Sequence, residues 1–577
     1  MKNILIVEDK IDGPMQGYDH VFSFRLNPAD SFPDDYISAK EISAIYHSVY
    51  DGLAARLLDP AYDADFSDQG IKLLWCFKKE LFDYAFTLAL RYDVLKRVLR
   101  TFQGYEVFLP QPEFKRGGIQ LASVVKKSPL AQSVGFHPVH LHEEAVPVPV
   151  PVPKGRRVRW PEYFSLGNLS KREVAVFSDF ERSKSVLQHL KRRSPVIFSN
   201  HASPRTLWRA WSHGAAYGQV VYRPEHAGRF EKKVEGYVRK LKSEKIFSGF
   251  FFDDLDAEPW LREKLTGLFY TILPKVFGEA EGMRRFFKES RSLKSALLDE
   301  DVDPSKNVFC QIARQHGVQT FVELHGAIGG KHGLVPLTAD KMFVWGKAQK
   351  KRLVDWGCPA EKILVSGNSR YRQYQRLKTQ TVRHKVVKEL GLDPERQIGL
   401  LVFAPVSRWH LLYERKMRAN IAEALDAVVE LCHEKHVQFV IKLHPADIRN
   451  TYYDEWIFRN ECERDLIVVR KYDPMLLAKA VDFLVVYGSS YSVDGFALGK
   501  PVINIYEDFD PYPLLEEFKE YEVFLSANRK EELKDLLRKL IHKQLPKPER
   551  WDAAREDCLN ATGTDPETYI ASVLSHA

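Results

Sequence analysis

The sequence predicts an α/β protein with two parallel-sheet units facing each other across a cleft, and an extra region at the N-terminus. Three observations lead there. From residue 172 onward, short apolar runs alternate with charged helical stretches, the rhythm of strands joined by crossover helices. The runs end in small or polar residues, as strand exits do in sheets that bind ligands at their carboxyl ends. The rhythm is interrupted once, by a charged helical stretch at 376–396, which reads as a connector between two Rossmann-like units.

Bulk properties narrow the class. The 577 residues are 45% apolar and 12% aromatic, enough to fill more than one core. Net charge is +8, from 85 basic and 77 acidic residues. That balance suits an anionic small ligand, an anionic membrane surface or plain solubility, and selects none of them. The cysteines (Cys76, Cys310, Cys358, Cys432, Cys462, Cys558) show no paired short spacing. Neither a zinc site nor a disulfide framework is implied, so a reducing cytoplasm is expected. The start, MKNILIVEDKIDG, is a strand pattern running into charge and not a signal peptide. No window approaches the roughly 18 apolar residues of a membrane span.

In chain order, NILIV (3–7) predicts a buried strand, and 71–110 is mainly helical before GYEVFLP. VPVPVPVP (146–153) cannot donate ladder hydrogen bonds and reads as an extended strap or a domain boundary. HLHEEA (140–145) lacks metalloprotease spacing and reads as surface. EVAVFSD, PVIFSNH, GQVVYRP, SGFFFDDLD, LKSALLDEDVD, VQTFVELHG, KMFVWG and KILVSGN are the strand candidates of the first unit. Asp303 or Ser305 is placed to cap the helix that Gly317 stops. The second unit runs through IGLLVFAP, VQFVIKLHP, LIVVRKYDP, VDFLVVYGSS and PVINIY, with helices at 412–435 and near 529–542. A short terminal helix has Asp565 or Thr564 as its N-cap candidate.

The candidate chemistry sits at the exits. In YGSSYSVDG (487–495), Gly488 permits a tight turn, and Ser489, Ser490 and Ser492 offer hydroxyls near a helix start. This combination suits phosphate, and equally a plain serine-capped helix. Asp494 falls in the first helical turn, where it complements the dipole or accepts from ribose. KLHPAD (442–447) brings Lys442, His444 and Pro445 to the end of a neighbouring strand. His444 there is a phosphate donor or an ordinary structural histidine. In FVELHGAIGGKHG (321–333), His325, Gly326, Gly329 and Lys331 form a basic, glycine-rich exit. Its spacing is wrong for an ATP-binding P-loop, and it reads as a flexible cleft lining. Asp253, Asp254, Asp256 and Glu258, and the cluster Asp299, Glu300, Asp301 and Asp303, offer carboxylates for a base or nucleophile, or for helix caps. No metal site is implied.

The ordered set of HG-glycine loop, FVWG, ILVSGNSRY, APVSRW, KLHP, GSS…D, LGKPVINI and a final GTD-helix resembles the two-domain glycosyltransferases of the GT-B fold. It is similar above all to bacterial surface-polysaccharide enzymes: capsule Kdo transferases, sialyl- and polysialyltransferases, CDP-glycerol glycerophosphotransferases and, more distantly, UDP-N-acetylglucosamine 2-epimerase. The likeness covers about residues 290–570. It implies a GT-B fold with residues 1–385 as the acceptor-side unit (enlarged over 1–170), 386–548 as the nucleotide-sugar unit, and 549–577 as a helix crossing back. It implies that His444-Pro445 and Ser489-Ser490 hold the nucleotide phosphate, and that Asp494 stands where relatives carry a ribose-binding Glu. His325-Gly326 would lie at the cleft edge. Asp253-Asp254 resembles a catalytic acidic pair, although Leu255 follows it where relatives carry Gly.

The resulting expectation is a metal-independent transferase without a cofactor. It would move a sugar, at best a CMP-activated acidic sugar such as Kdo or a sialic acid, to a glycan or lipid-linked glycan acceptor. Arg370, Arg408 and Lys331 would meet the sugar carboxylate. Asp253, Asp254 or His325 would act as base or nucleophile. The protein would be cytoplasmic, with peripheral contact with the inner membrane compatible with its charge, and no nucleic acid partner. A CDP-glycerol-type transferase, a UDP-sugar epimerase and a non-catalytic envelope scaffold are the rival readings.

Overall fold

The computed structural model describes residues 2–7, 18–24, 31–110, 124–125, 127–130, 136–139, 161–177, 180–191, 195–201, 203–404, 414–433, 437–448, 451–462, 464–507 and 514–577. The Val-Pro strap, the 140–145 histidine cluster and Arg408 lie outside them. Three multi-stranded sheets carry the fold.

The N-terminal region forms a sheet of its own. Strands β1 (Asn3–Val7), β2 (His20–Ser23), β3 (Glu106–Pro110) and β4 (Phe136–Val139) pair in the order β2-β1-β3-β4, all parallel. Helices α1 (Ala39–Leu57) and α2 (Lys78–Thr101) pack together on it. Ser38 starts α1 with a reciprocal capping box to Glu41, which satisfies two otherwise orphaned donors.

The second sheet has eight strands: β5 (Tyr163–Leu166), β6 (Val174–Phe177), β7 (Val196–Ser199), β8 (Ala216–Val220), β9 (Ser295–Leu298), β10 (Gln319–Glu323), β11 (Lys341–Val344) and β12 (Ile363–Val365). Their order is β12-β11-β10-β9-β6-β7-β8-β5, parallel except for the edge strand β5. Helices α3 (Phe180–Leu190) and α4 (Pro204–Ser212) cover one face, and α5 (Glu258–Glu289) and α6 (Pro304–Gln315) the other. Asp303 caps α6 by accepting from the Ser305 and Lys306 amides. The N-terminal region is bolted to this second face. The Lys72 amide donates to Gln311, and Arg56 stacks on Phe250. A Cβ on Gly52 would meet the Phe250 ring at 2.6 Å.

Two short helices, α7 (Ser369–Gln375) and α8 (Thr379–Leu390), lead to the third sheet. Its strands are β13 (Gln397–Phe403), β14 (Val437–Lys442), β15 (Leu466–Val469), β16 (Phe483–Tyr487), β17 (Val502–Ile505) and β18 (Leu525–Ala527). All are parallel, in the order β15-β14-β13-β16-β17-β18. Renumbered from one, that is the 3-2-1-4-5-6 order of a doubly wound Rossmann sheet. β13 and β16 are its central pair and are buried almost throughout, which explains their unbroken apolar runs. Helix α9 (Tyr491–Ala497) follows β16.

The chain ends in α10 (Trp551–Leu559) and α11 (Pro566–His576). Ile570, Ala571 and Leu574 of α11 join Val174, Val186, Leu297 and Phe343 in one core cluster on the second sheet. Asp565, at the start of α11, takes Arg372 and Arg376 as ion partners rather than capping the helix by its side chain. Two glycines admit this tail. A Cβ on Gly346 would meet the Asp557 carbonyl oxygen at 2.2 Å, and one on Gly367 would meet Pro566 at 2.7 Å. Backbone atoms yield less than side chains do, so Gly346→Ala should lift α10 from β11. The expected cost is about 2 kcal/mol, as for overpacking. A lower melting temperature with faster amide exchange in 551–576 would show it; unchanged exchange there would refute it.

Candidate functional site

A doubly wound sheet leaves a crevice where the strand order reverses, because the loops on either side depart in opposite directions. In the third sheet this point lies between β13 and β16. Gly488 leaves β16 at φ +59°, and a Cβ there would sit 3.2 Å from the Ala404 Cβ at the exit of β13. A pocket of about 190 Å³ begins at this turn. Tyr487, Gly488, Ser489, Ser492, Asn504 and Glu507 are among its lining residues.

The serines divide their work. Ser489 Oγ accepts from the Tyr491 amide at 3.3 Å and so stiffens the loop. Ser492 is fully buried and donates to Asn504 Oδ1 at 2.5 Å, while Asn504 donates to Glu507 at 3.2 Å. This polar line runs along the pocket wall. Ser490 is the N-cap residue of α9, yet its hydroxyl makes no capping bond.

On the other side of β13, Lys442 ends β14 in a buried position. Its ammonium donates to the Leu443 carbonyl at 2.6 Å, and burial lowers its pKa. Among the described residues no carboxylate pairs with it. His444 and Pro445 follow directly and are exposed. A buried cation of this kind is stabilised by any anion that enters beside it.

The facing wall belongs to the second sheet. His325 leaves β10 with its Nδ1 3.0 Å from the Asp299 carbonyl at the exit of β9. Contacts between strand exits of the two sheets close the cleft. A Cβ on Gly329 would meet Leu514 at 2.8 Å, Tyr374 donates to Asp473 at 2.6 Å, and Gln375 donates to the Ala497 carbonyl at 2.9 Å.

Several sequence expectations change here. SGFFFDDLD adds no strand to the large sheet; Phe251–Phe252 and Leu255–Asp256 form a separate two-residue hairpin. Asp253 and Asp254 are its turn, with Asp253 at φ +54°. Both pair with Lys96 of α2, and Tyr92 donates to Asp254 at 2.8 Å. They therefore leave no strand of the parallel sheets. Lys331 is held by Asp51 of α1 at 2.7 Å, and His332 by Tyr46 at 2.7 Å. The glycine-rich segment is thus clamped by the N-terminal region rather than loose. Arg370 lies 3.8 Å from Asp494, across the cleft. Asp494 thus serves the joint between the units, and it is absent from the pocket lining. In the acidic cluster, Lys306 neutralises Asp299 and Glu300 at 2.6 and 3.1 Å, and buried Asp301 accepts from the Thr338 and Ala339 amides.

Sequence reading missed Glu323, near the end of β10. Burial pushes its carboxyl up to about 7, and Ser369 donates to it at 2.6 Å. A lone Glu inside the apolar run VQTFVELHG was the available signal. It also missed Asn504 and Glu507, which only the β16–β17 pairing brings to the pocket.

Two doubly wound sheets with their carboxyl ends together, and a terminal helix returned to the first, define the GT-B class of α/β proteins. No family model matches the sequence, and no curated protein does. Among solved structures, the chain is similar to a glycosyltransferase from Rickettsia africae (11% identity, 70% of this chain and 98% of that one, TM-score 0.43). It is also similar to UDP-GlcNAc 2-epimerase from Methanocaldococcus jannaschii (9%, 70% and 100%, TM-score 0.47). A third is UDP-GlcNAc 2-epimerase from Neisseria meningitidis bound to UDP-GlcNAc (12%, 70% and 99%, TM-score 0.46). At these values the class rests on the chain's own sheet order.

The Arg370–Asp494 pair supplies a pH test. Burial raises the Asp494 pKa and Arg370 opposes the rise. A carboxyl raised in the folded state stabilises in acid, and that contribution fades as pH climbs through its folded pKa. Arg370→Met leaves Asp494 without its cation. The variant should lose about 2 kcal/mol at neutral pH and much less in acid, where Asp494 is protonated. Melting temperatures across pH 4.5 to 8 would show the gap widening upward; a constant gap would exclude the pairing.

Proposed function

We propose that the protein is a glycosyltransferase that takes its sugar from a nucleotide-activated donor. The observation that carries this is the pocket at the switch point of a 3-2-1-4-5-6 sheet, where such sheets hold nucleotides. Gly488 and Ser489 line it from β16, Ser490 follows them at the start of α9, and Lys442 and His444 stand at the exit of β14, on the other side of β13. Bond breaking leaves negative charge on the departing phosphate, and donors already fixed in place stabilise it without reorganising. Lys442 would deliver its charge there, and the unengaged Ser490 hydroxyl would donate. On the facing wall, His325 would take the proton of the acceptor hydroxyl. Asp253 and Asp254, each paired with Lys96 in a hairpin turn, are the weaker candidates.

The finer reading is a CMP-activated acidic sugar, such as Kdo or a sialic acid, moved to a glycan or lipid-linked glycan. It rests on the pairing of His444-Pro445 with Ser489-Ser490. Two of the cations expected at the sugar carboxylate, Arg370 and Lys331, have protein partners, so a donor carboxylate would have to compete for them.

Melting the protein with CMP, CDP, UDP and GDP identifies the donor class, since a ligand that binds the folded state stabilises it by mass action. Turnover is then followed with CMP-Kdo, CMP-sialic acid, CDP-glycerol and UDP-sugars, with and without a glycan acceptor. His444→Ala and Ser490→Ala should each weaken nucleotide binding or turnover by about tenfold or more, the loss of a charge-assisted hydrogen bond. The Asp253→Asn, Asp254→Asn double variant should keep its turnover, and His325→Ala should lose it. Near-normal kinetics in both His444 and Ser490 variants would move the phosphate elsewhere. Release of UDP or CDP alone would replace the donor, and a changed UDP-sugar without acceptor would mean an epimerase.

A further inference from the structure

Helix α4 turns Leu207 and Ala210 onto the second sheet. It leaves Trp208 and Trp211 facing solvent, 63% and 71% exposed. Residues three apart share one helical face, so two largely exposed indoles stand side by side. Leu166 on the neighbouring edge strand β5 is 47% exposed as well. Single exposed apolar residues are ordinary, whereas an aromatic pair beside further apolar surface marks an interaction site.

The stretch of chain that follows Glu181 of α3 and runs through α4 is one-sided in charge. From residue 182 to 224 the sequence carries eight Lys and Arg residues and no Asp or Glu, while the whole chain has 77 acids to 85 bases. Lys184 and Lys191, at α3, and Arg205 of α4 are exposed. Val186 and Leu190 of α3 share a core cluster with Ala210 of α4 and Ile197 of β7, so both helices cover the same face of the sheet. That face is opposite the one occupied by α5, α6 and the N-terminal region. Among the described residues no helix is long and apolar enough to cross a membrane.

We propose that α4 is a membrane-docking element that seats Trp208 and Trp211 in the headgroup region of an anionic lipid bilayer, with Arg205 and the α3 lysines against its phosphates. Indole suits that position because its body is apolar and its N–H is polar. Long exposed cations without intervening carboxylates suit a diffuse anionic surface, where each adds attraction without needing a fixed partner. An acidic protein would instead require carboxylates matched to particular positions. The proposal is independent of the donor reading above.

The test uses the full chain with vesicles of phosphatidylcholine, with and without phosphatidylglycerol, measured by co-sedimentation. Wild type should bind only the anionic vesicles and be released by high salt. Trp208→Ser with Trp211→Ser should weaken partitioning by about tenfold or more. Lys191→Glu with Arg205→Glu should also weaken it by about tenfold or more, since each reversal turns an attraction into a repulsion. All four positions are at the surface, so melting temperature and the nucleotide-induced shift should stay at wild-type values, which separates this outcome from a failure of the donor site. Absence of wild-type binding to anionic vesicles, or equal binding by the tryptophan double variant, would overturn the proposal. So would a self-associated form that the double variant abolishes, because the face would then belong to a second copy.

Discussion

The ion pair between Arg352 and Glu517 crosses the cleft at 2.6 Å with the carboxylate almost wholly buried. Burial raises the Glu517 pKa and Arg352 draws it back down. Neither charge is tolerable there alone, since a buried pair that loses one partner leaves an uncompensated ion. The same guanidinium donates to the Ile328 carbonyl at 2.8 Å. One side chain therefore ties the glycine-rich loop after β10, the helix Lys347–Asp355 after β11 and the turn Glu516–Tyr521 of the third sheet's unit. The distance between the pocket at the β16 exit and the facing wall depends on that knot.

Around it, most charges that looked chemical are spent on structure. Arg370 holds Asp494, Lys331 holds Asp51, Lys306 holds Asp299 and Glu300, and Lys96 holds Asp253 and Asp254. Of these pairings only Arg370–Asp494 joins the units of the second and third sheets; the others tie the N-terminal region and the second sheet's own loops together. Two groups stand out against that background: Lys442, which no carboxylate among the described residues pairs with, and the Ser490 hydroxyl outside any cap.

The N-terminal region shapes the same wall. Its sheet stands apart, but α1 reaches the glycine-rich loop through Tyr46, whose hydroxyl meets both the ring and the amide of His332. A Cβ on Gly330 would collide with that hydroxyl at 2.3 Å. Close backbone approach, rather than looseness, therefore accounts for this glycine. Burial lowers the His332 pKa to about 4, so the contact stays neutral at any ordinary pH.

The α/β class, the strands of both large sheets apart from the edge strands β5 and β18, and the exits carrying Lys442, His444 and Ser489 were legible in the sequence. Each is a local property: an apolar run of strand length and the polar residue that stops it are adjacent in the chain. Strand order was not legible, because hydrogen bonding between β13 and β16 joins segments some eighty residues apart. The fates of the charges were hidden for the same reason. Asp253 followed an apolar run and so resembled a strand exit, but a strand is defined by its neighbour, and Phe251–Phe252 finds one only in its own hairpin. The sequence by itself determined which residues could do chemistry and roughly where each strand would end. The tertiary structure alone decided which of them were consumed as ion pairs, since pairing energy depends on distance and burial, and neither is written in the order of residues.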